Sequence, residues 1–170
     1  MQVHTERLQQ VDPASVEGAM RAMLGLSGYR ARCGLETSLL ELVEIRASQI
    51  NGCAYCLDMH TKDARARGES EQRIYLLDAW RESPFYSARE RAALAWTEAV
   101  TLVAESRVPD SVYEEVRQHF SDDELLALTM AVVTINAFTR LNVALRTVPG
   151  MYQPGMFEGV THDVTLVAAD

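Results

Sequence analysis

Along most of the chain the apolar residues recur every three or four positions and hardly ever alternate, which is the helical period. Asp12-Pro13 sets a cap before a proline at the first helical position. From there Val16, Met20, Met23 and Leu24 share one face, predicting a helix to about Gly28. Tyr29 to Gly34, with Cys33, reads as a connection. Leu39, Leu42, Val43, Ile45 and Ile50 predict a second helix, ended by the turn signal Asn51-Gly52. A third helix follows Gly52 and ends near Gly68. Ser70 opens a short fourth one through Ile74, Leu77 and Trp80, broken at Ser83-Pro84.

Ser87 with Glu90, and Ser121 with Glu124, are capping boxes, each opening a further helix. The first carries Leu94, Ala95, Ala99, Leu102 and Val103. Between the two, Pro109 starts the segment PDSVYEEVRQHF, and Phe120 and Leu125 are spaced for a hydrophobic staple. The last helix, Asp122 to about Arg146, is apolar nearly all round, so it lies centrally in its domain or in a subunit interface. Its Asn136, Arg140 and Asn142 argue against a membrane span. Pro149-Gly150 ends it, and the tail closes with VTLVAA over 164–169, a short strand or extended arm. The expectation is an all-α single domain over 1–170 with a buried C-terminal helix. Its core covers about 12–150, with an N-terminal arm (1–11) and a C-terminal tail (151–170).

A hydrophobic share of 48% over 170 residues suffices for a real core and excludes a disordered chain. The net charge of −8 and a pI near 5.0 argue against nucleic acid or an anionic membrane as partner. The polar start MQVHTERLQQ is not a secretory signal. Three cysteines, two in C-x-x-C, suit a reducing compartment, and the expected location is cytoplasmic.

The chemistry concentrates in ELVEIRASQINGCAYCLDMH, Glu41 to His60. Cys53, Cys56 and His60 stand at i, i+3 and i+7, one face of a helix. A helix beginning after Gly52 puts Cys53 in its first turn, where the unsatisfied N–H groups favour thiolate over thiol. His60, one turn beyond Cys56, can exchange a proton with it. If the chain folds back at Gly52, Glu41 and His60 both lie on the order of 12–15 Å from the bend; in one straight helix they would be roughly 28 Å apart. A bend therefore brings a carboxylate level with the imidazole, fixing its tautomer and raising its basicity. Glu44 meets this test as well as Glu41 does.

Blander assignments exist for each residue. Ser38 to Glu41 fits a capping box, which would turn the Glu41 side chain back to its own helix start. Tyr55 can donate near the thiolate or simply pack. Cys33 reads as a small hydrophobe, and Arg65, Arg67 and Arg73 as solvated surface. His60 could pair on the surface with Asp63 or Glu69. A zinc module would need a fourth ligand beside Cys53, Cys56 and His60, from Cys33, His119, His4 or His162. A non-catalytic redox sensor or assembly protein could use the same cysteine pair.

Glu41, Cys53-Ala54-Tyr55-Cys56 and His60 form an E-x11-C-x-x-C-x3-H arrangement. It resembles the alkylhydroperoxidase AhpD core of the carboxymuconolactone decarboxylase-like superfamily. The likeness is detailed over about 38–76, and INAFTRLNVALRTVPG resembles the closing helix of that family. Plain decarboxylases of the superfamily lack the cysteine pair, so the peroxidase branch is the one resembled. The resemblance implies a thiol-dependent alkylhydroperoxidase or disulfide oxidoreductase acting on organic hydroperoxides or H2O2. It implies Cys56 as the attacking thiol, Cys53 as the resolving thiol, and His60 as proton acceptor supported by Glu41 in preference to Glu44. Tyr55 stands where some members carry a histidine. The family further implies trimers or hexamers, no bound cofactor, and an external dithiol reductant, either a lipoyl protein or a peroxiredoxin partner.

Overall fold

The computed structural model describes residues 5–157. Among these are eight α-helices and no strand: α1 (Pro13–Arg30), α2 (Thr37–Asn51), α3 (Ala54–Ala66), α4 (Glu71–Leu76), α5 (Ala88–Thr101), α6 (Val103–Ser106), α7 (Asp110–Val116) and α8 (Asp122–Leu145). Short 3-10 turns lie at Glu6–Leu8 and Leu77–Ala79. The all-α expectation holds. The segment 164–169, expected as a strand or arm, lies outside the described residues, as do His4 and His162.

Most helix starts follow the sequence signals. The Asp12 carboxylate accepts from the Ala14 N–H, with Pro13 opening α1. Both capping boxes close, Ser87 with Glu90 at α5 and Ser121 with Glu124 at α8. Ser70 caps α4 through the Arg73 N–H. One expected box does not form. α2 already begins at Thr37, so Ser38 is inside the helix and the Glu41 side chain is free to point elsewhere.

α2 is the hub. It is nearly sheathed, packing against α3, α5 and α8. On one side Leu39, Leu40 and Val43 join Ala93 and Trp96 of α5, Val116 of α7, and Leu128 and Val132 of α8. On another, Leu42 and Ile45 meet Leu77, Trp80 and Leu94. A third, small cluster holds Ala47 against Cys53, Cys56 and Ile135. Residues at i, i+3 and i+4 on α2 thus serve several neighbours at once, which is why so much of the helix is apolar.

α8 has the length and composition of a membrane span, with mean hydropathy 1.4 over its best window. Here it lies along the bundle as a core helix, with Leu125, Leu128, Ala131, Val132 and Ile135 buried. Its polar residues are used. The Asn136 amide donates to the Thr101 hydroxyl at 3.0 Å and accepts from Asn51 at 3.0 Å and Arg140 at 2.6 Å, tying α2, α5 and α8 together.

α2 ends in a Schellman motif: the Gly52 N–H donates to the Gln49 carbonyl (3.1 Å) and the Cys53 N–H to the Ser48 carbonyl (3.0 Å). Gly52 adopts the left-handed φ of 63° that this turn needs, and a Cβ there would meet nothing within 4 Å. Gly52→Ala should therefore lose stability for backbone reasons alone, about 1–2 kcal/mol. Gly52→Asn should lose less, because asparagine tolerates this region. Chemical denaturation of the two variants beside the parent checks both values.

Candidate thiol and histidine site

The residue that finishes the Schellman turn also starts the next helix. Cys53 is the N-cap of α3, one position earlier than the first-turn placement expected from the sequence. Its Sγ accepts from the Cys56 N–H at 3.3 Å, as a serine oxygen would in the same place. Both sulfurs are buried and unlinked to one another. The Cys56 Sγ accepts from the Asn142 side-chain amide of α8 at 3.4 Å.

The two thiols share their ionisation. The hydrogen bond from Cys56 holds Cys53 well down, to about 7 from an ordinary 9.0, helped by the α3 N–H groups and the charge of His60. Cys56 moves the opposite way. Hydrogen bonding to Cys53, burial and the Cys53 negative charge all raise it, while Asn142 lowers it. Within the pair, hydrogen bonding therefore favours ionisation at Cys53 over Cys56.

His60 lies on the buried side of α3 and not on the surface. Its Nδ1 is 3.5 Å from the Glu41 Oε2 and 3.4 Å from the Glu44 Oε2, so the chain reversal brings both candidate carboxylates to the ring. Burial lowers its pKa, but the Glu44 and Glu41 carboxylates outweigh burial and leave it raised above 6.5. The two carboxylates thus favour the protonated ring over the neutral one. No hydrogen bond joins His60 to either sulfur among the described residues.

Two arginines hold the carboxylates. Arg30, at the last turn of α1, forks onto Glu44 with contacts of 2.9 and 2.6 Å and reaches Glu41 at 3.5 Å. Arg67, just past α3, pairs with the same Glu41 oxygen, Oε1, and the Oε2 is left facing His60. Arg67 is thus partly engaged with a buried carboxylate and is not simply solvated surface. Tyr152 donates to Asp63 at 2.8 Å, which fastens the chain after α8 onto α3.

A cavity of about 720 Å³ opens beside these groups. Its floor carries Glu41, Glu44, His60, Asp63, Arg30 and Arg67. Its walls are apolar: Val16, Met20 and Leu24 from α1, Phe138 and Leu141 from α8, and Phe157 from the tail. The periodic face of α1 therefore walls a cavity more than it fills a core. Tyr55 is half-buried, packs on the thiol cluster and lines the same cavity without a hydrogen bond.

For a metal ion, the described group whose ligand atoms converge within 4.8 Å of one another is Glu41, His60 and Asp63. It contains no thiol, and its carboxylates already face Arg30 and Arg67. Cys33 packs half-buried against the core on another side. The sequence reading overlooked Arg30 and Asn142. Arg30 looked like an ordinary basic residue at a helix end. Asn142 did carry a signal, a polar residue in an apolar helix, but it was weighed only against a membrane span.

The family model for the carboxymuconolactone decarboxylase family matches residues 17–99. The chain is 44% identical over 126 residues to the uncharacterised protein YdfG of Bacillus subtilis (strain 168), covering 74% of this chain and 86% of that one. Its fold matches the crystal structure of ATU0492 from Agrobacterium tumefaciens, a protein of unknown function and a candidate antioxidant defence protein AhpD. That match has a TM-score of 0.79 at 42% identity, over 84% of this chain and 99% of the other. An uncharacterised peroxidase-related protein with the alkylhydroperoxidase AhpD core, from Ralstonia eutropha JMP134, shares the fold. Its TM-score is 0.68 at 19% identity, over 81% of this chain and 74% of that one. The chain belongs to the carboxymuconolactone decarboxylase family, as one of its AhpD-like proteins.

Proposed function

We propose that the protein is a thiol-dependent peroxidase and disulfide oxidoreductase that reduces organic hydroperoxides or H2O2 through Cys53 and Cys56. The observation that carries this reading is a buried, unlinked Cys53–Cys56 pair at the start of α3, on the same helix as a buried His60 that faces two carboxylates at the floor of a cavity large enough for an organic substrate.

In this reading the proton given up by the thiol pair rests on His60, where Glu41 and Glu44 stabilise it. The remaining S–H proton passes from Cys56 to Cys53, so that Cys56 becomes the thiolate. Its sulfur attacks the terminal, hydroxyl-bearing peroxide oxygen as the O–O bond breaks, giving Cys56 sulfenic acid and an alkoxide. The alkoxide takes a proton from the imidazolium and leaves as alcohol. Cys53 then displaces hydroxide from the sulfenic sulfur, which forms the Cys53–Cys56 disulfide and, after protonation, water. An external dithiol restores both thiols by exchange. A lipoyl protein or a peroxiredoxin suits that role, and the reducing cytoplasm is the compartment where such a cycle runs. Exposed Leu126 and Val133 on α8 suit assembly into a trimer or hexamer.

A second reading differs in one step. Because the Cys53 sulfur accepts from the Cys56 N–H at the start of α3 and its pKa is lowered, that sulfur could itself attack the peroxide, with Cys56 resolving. Single-cysteine variants separate the two. With Cys56 attacking, Cys53→Ser should still form one sulfenic acid per chain on adding one equivalent of alkyl hydroperoxide, trapped on Cys56 by dimedone. Cys56→Ser should form none and should lose peroxide turnover. The reverse pattern assigns the attack to Cys53, and reduced parent protein that keeps all three thiols for minutes under peroxide excludes the peroxidase.

The thiol titration gives an independent check. Carbamidomethylation of the reduced protein by iodoacetamide, mapped by peptide mass, should report one thiolate of the pair rising with a midpoint near pH 7. An ordinary thiol has its midpoint at about 8.5. His60→Gln should move that midpoint upward, because removing a neighbouring positive charge disfavours the thiolate.

A further inference from the structure

Cys56 has a shortage of donors. Its own backbone N–H is used to cap α3 through the Cys53 sulfur, so that sulfur has a helix-terminal donor and the Cys56 sulfur does not. Among the described residues the one hydrogen bond donated to the Cys56 Sγ comes from α8, from the Asn142 amide at 3.4 Å. Asn142 also lines the cavity beside Leu141 and Phe138. It thus touches the sulfur on the side from which a substrate would come. A half-buried polar side chain between apolar neighbours costs free energy unless something uses it.

We propose that Asn142 is a catalytic residue of the dithiol centre: its amide stabilises the Cys56 thiolate and links that buried sulfur to the cavity that Asn142 lines. This rests on the reading above in which Cys56 attacks. The Cys56 thiolate has little other help. Facing it are Cys53 at the start of α3, Glu44 of α2, and Tyr55 and His60 of α3. Glu44 and an ionised Cys53 both oppose a second negative charge. His60, whose pKa the carboxylates raise, makes no hydrogen bond to the sulfur among the described residues. A neutral N–H donor supplied from α8 favours the anion without adding a charge that would trap it. Once the sulfur is oxidised to the disulfide the anion is gone and the hydrogen bond weakens, so Asn142 stabilises the attacking state selectively.

The test uses the full chain in a Cys53→Ser background, where the serine oxygen keeps the α3 cap and Cys56 titrates alone. Iodoacetamide alkylation of Cys56 is followed against pH, with the Cys33 peptide resolved separately by mass. Adding Asn142→Ala should raise the Cys56 midpoint by about one pH unit and slow alkylation at pH 7 about tenfold. Asn142→Asp, nearly the same shape, should raise it at least as far by replacing a donor with a negative charge. It also serves if the alanine variant does not fold. With Cys53 restored, Asn142→Ala should slow single-turnover disulfide formation by alkyl hydroperoxide about tenfold, while reduction of the preformed disulfide by dihydrolipoamide changes less than twofold. A Cys56 midpoint unchanged in both variants overturns the proposal, even if their thermal stability falls. Parent protein that consumes no peroxide defeats the peroxidase reading instead, and the alkylation titration still decides what Asn142 does to the sulfur.

Discussion

The site depends on one reversal of the chain. α2 ends and α3 begins within a single left-handed residue, Gly52, and the two backbone hydrogen bonds that close α2 run from Gly52 and from Cys53. The same cysteine then caps α3 with its sulfur. This sharing fixes the angle between the helices and delivers a thiol to the positive end of a helix with no loop to adjust. It also sets the register between α2 and α3. Residues about ten before the turn meet residues about eight after it, which is how Glu41 and Glu44 come to face His60. A longer or floppier turn would keep each residue and lose their relation.

Charge is the second constraint. Glu41 and Glu44 are carried on the most buried helix of the molecule. Taking a carboxylate out of water costs several kcal/mol, and leaving it unpaired costs more than the pair returns. α1 and the end of α3 supply the compensation as Arg30 and Arg67, and His60 faces both carboxylates, which raise its pKa. The network leaves two buried atoms without a hydrogen bond, the Glu41 Oε2 and the His60 Nδ1, which face one another at 3.5 Å. That contact is electrostatic more than a formed hydrogen bond.

α8 connects core and chemistry. Its first half packs Leu128 and Val132 against α2 and α5, while its middle lays Ile135 over the two sulfurs. The second half turns Phe138, Leu141 and Asn142 to the cavity, opposite the apolar face of α1. One rigid element thus seals the thiols from bulk water and shapes the space beside them. In such a space an apolar group is held by burial, and polar chemistry is confined to the floor.

The sequence by itself determined the helices and the identity of the dithiol. Their signals are local: a capping serine with glutamate three residues on, a proline at the first turn, a glycine where φ must be positive, and an apolar period of 3.6. It made the meeting of a carboxylate with His60 conditional on a reversal at Gly52, and the left-handed turn there supplies that reversal. It could not choose between Glu41 and Glu44, and the fold uses both. It suggested a cap for Glu41 that the actual start of α2 at Thr37 removes. Only the tertiary structure decided where Arg30 and Asn142 go. Each is far along the chain from the residue it serves, and neither helical period nor capping carries information over such separations. The same holds for the acidities of the thiols. The chain places Cys53 nearer the helix start, but only the tertiary structure shows the Cys56 N–H capping onto its sulfur, which lowers the Cys53 pKa, and Asn142 of α8 reaching Cys56, which lowers that of Cys56 against the larger effects that raise it.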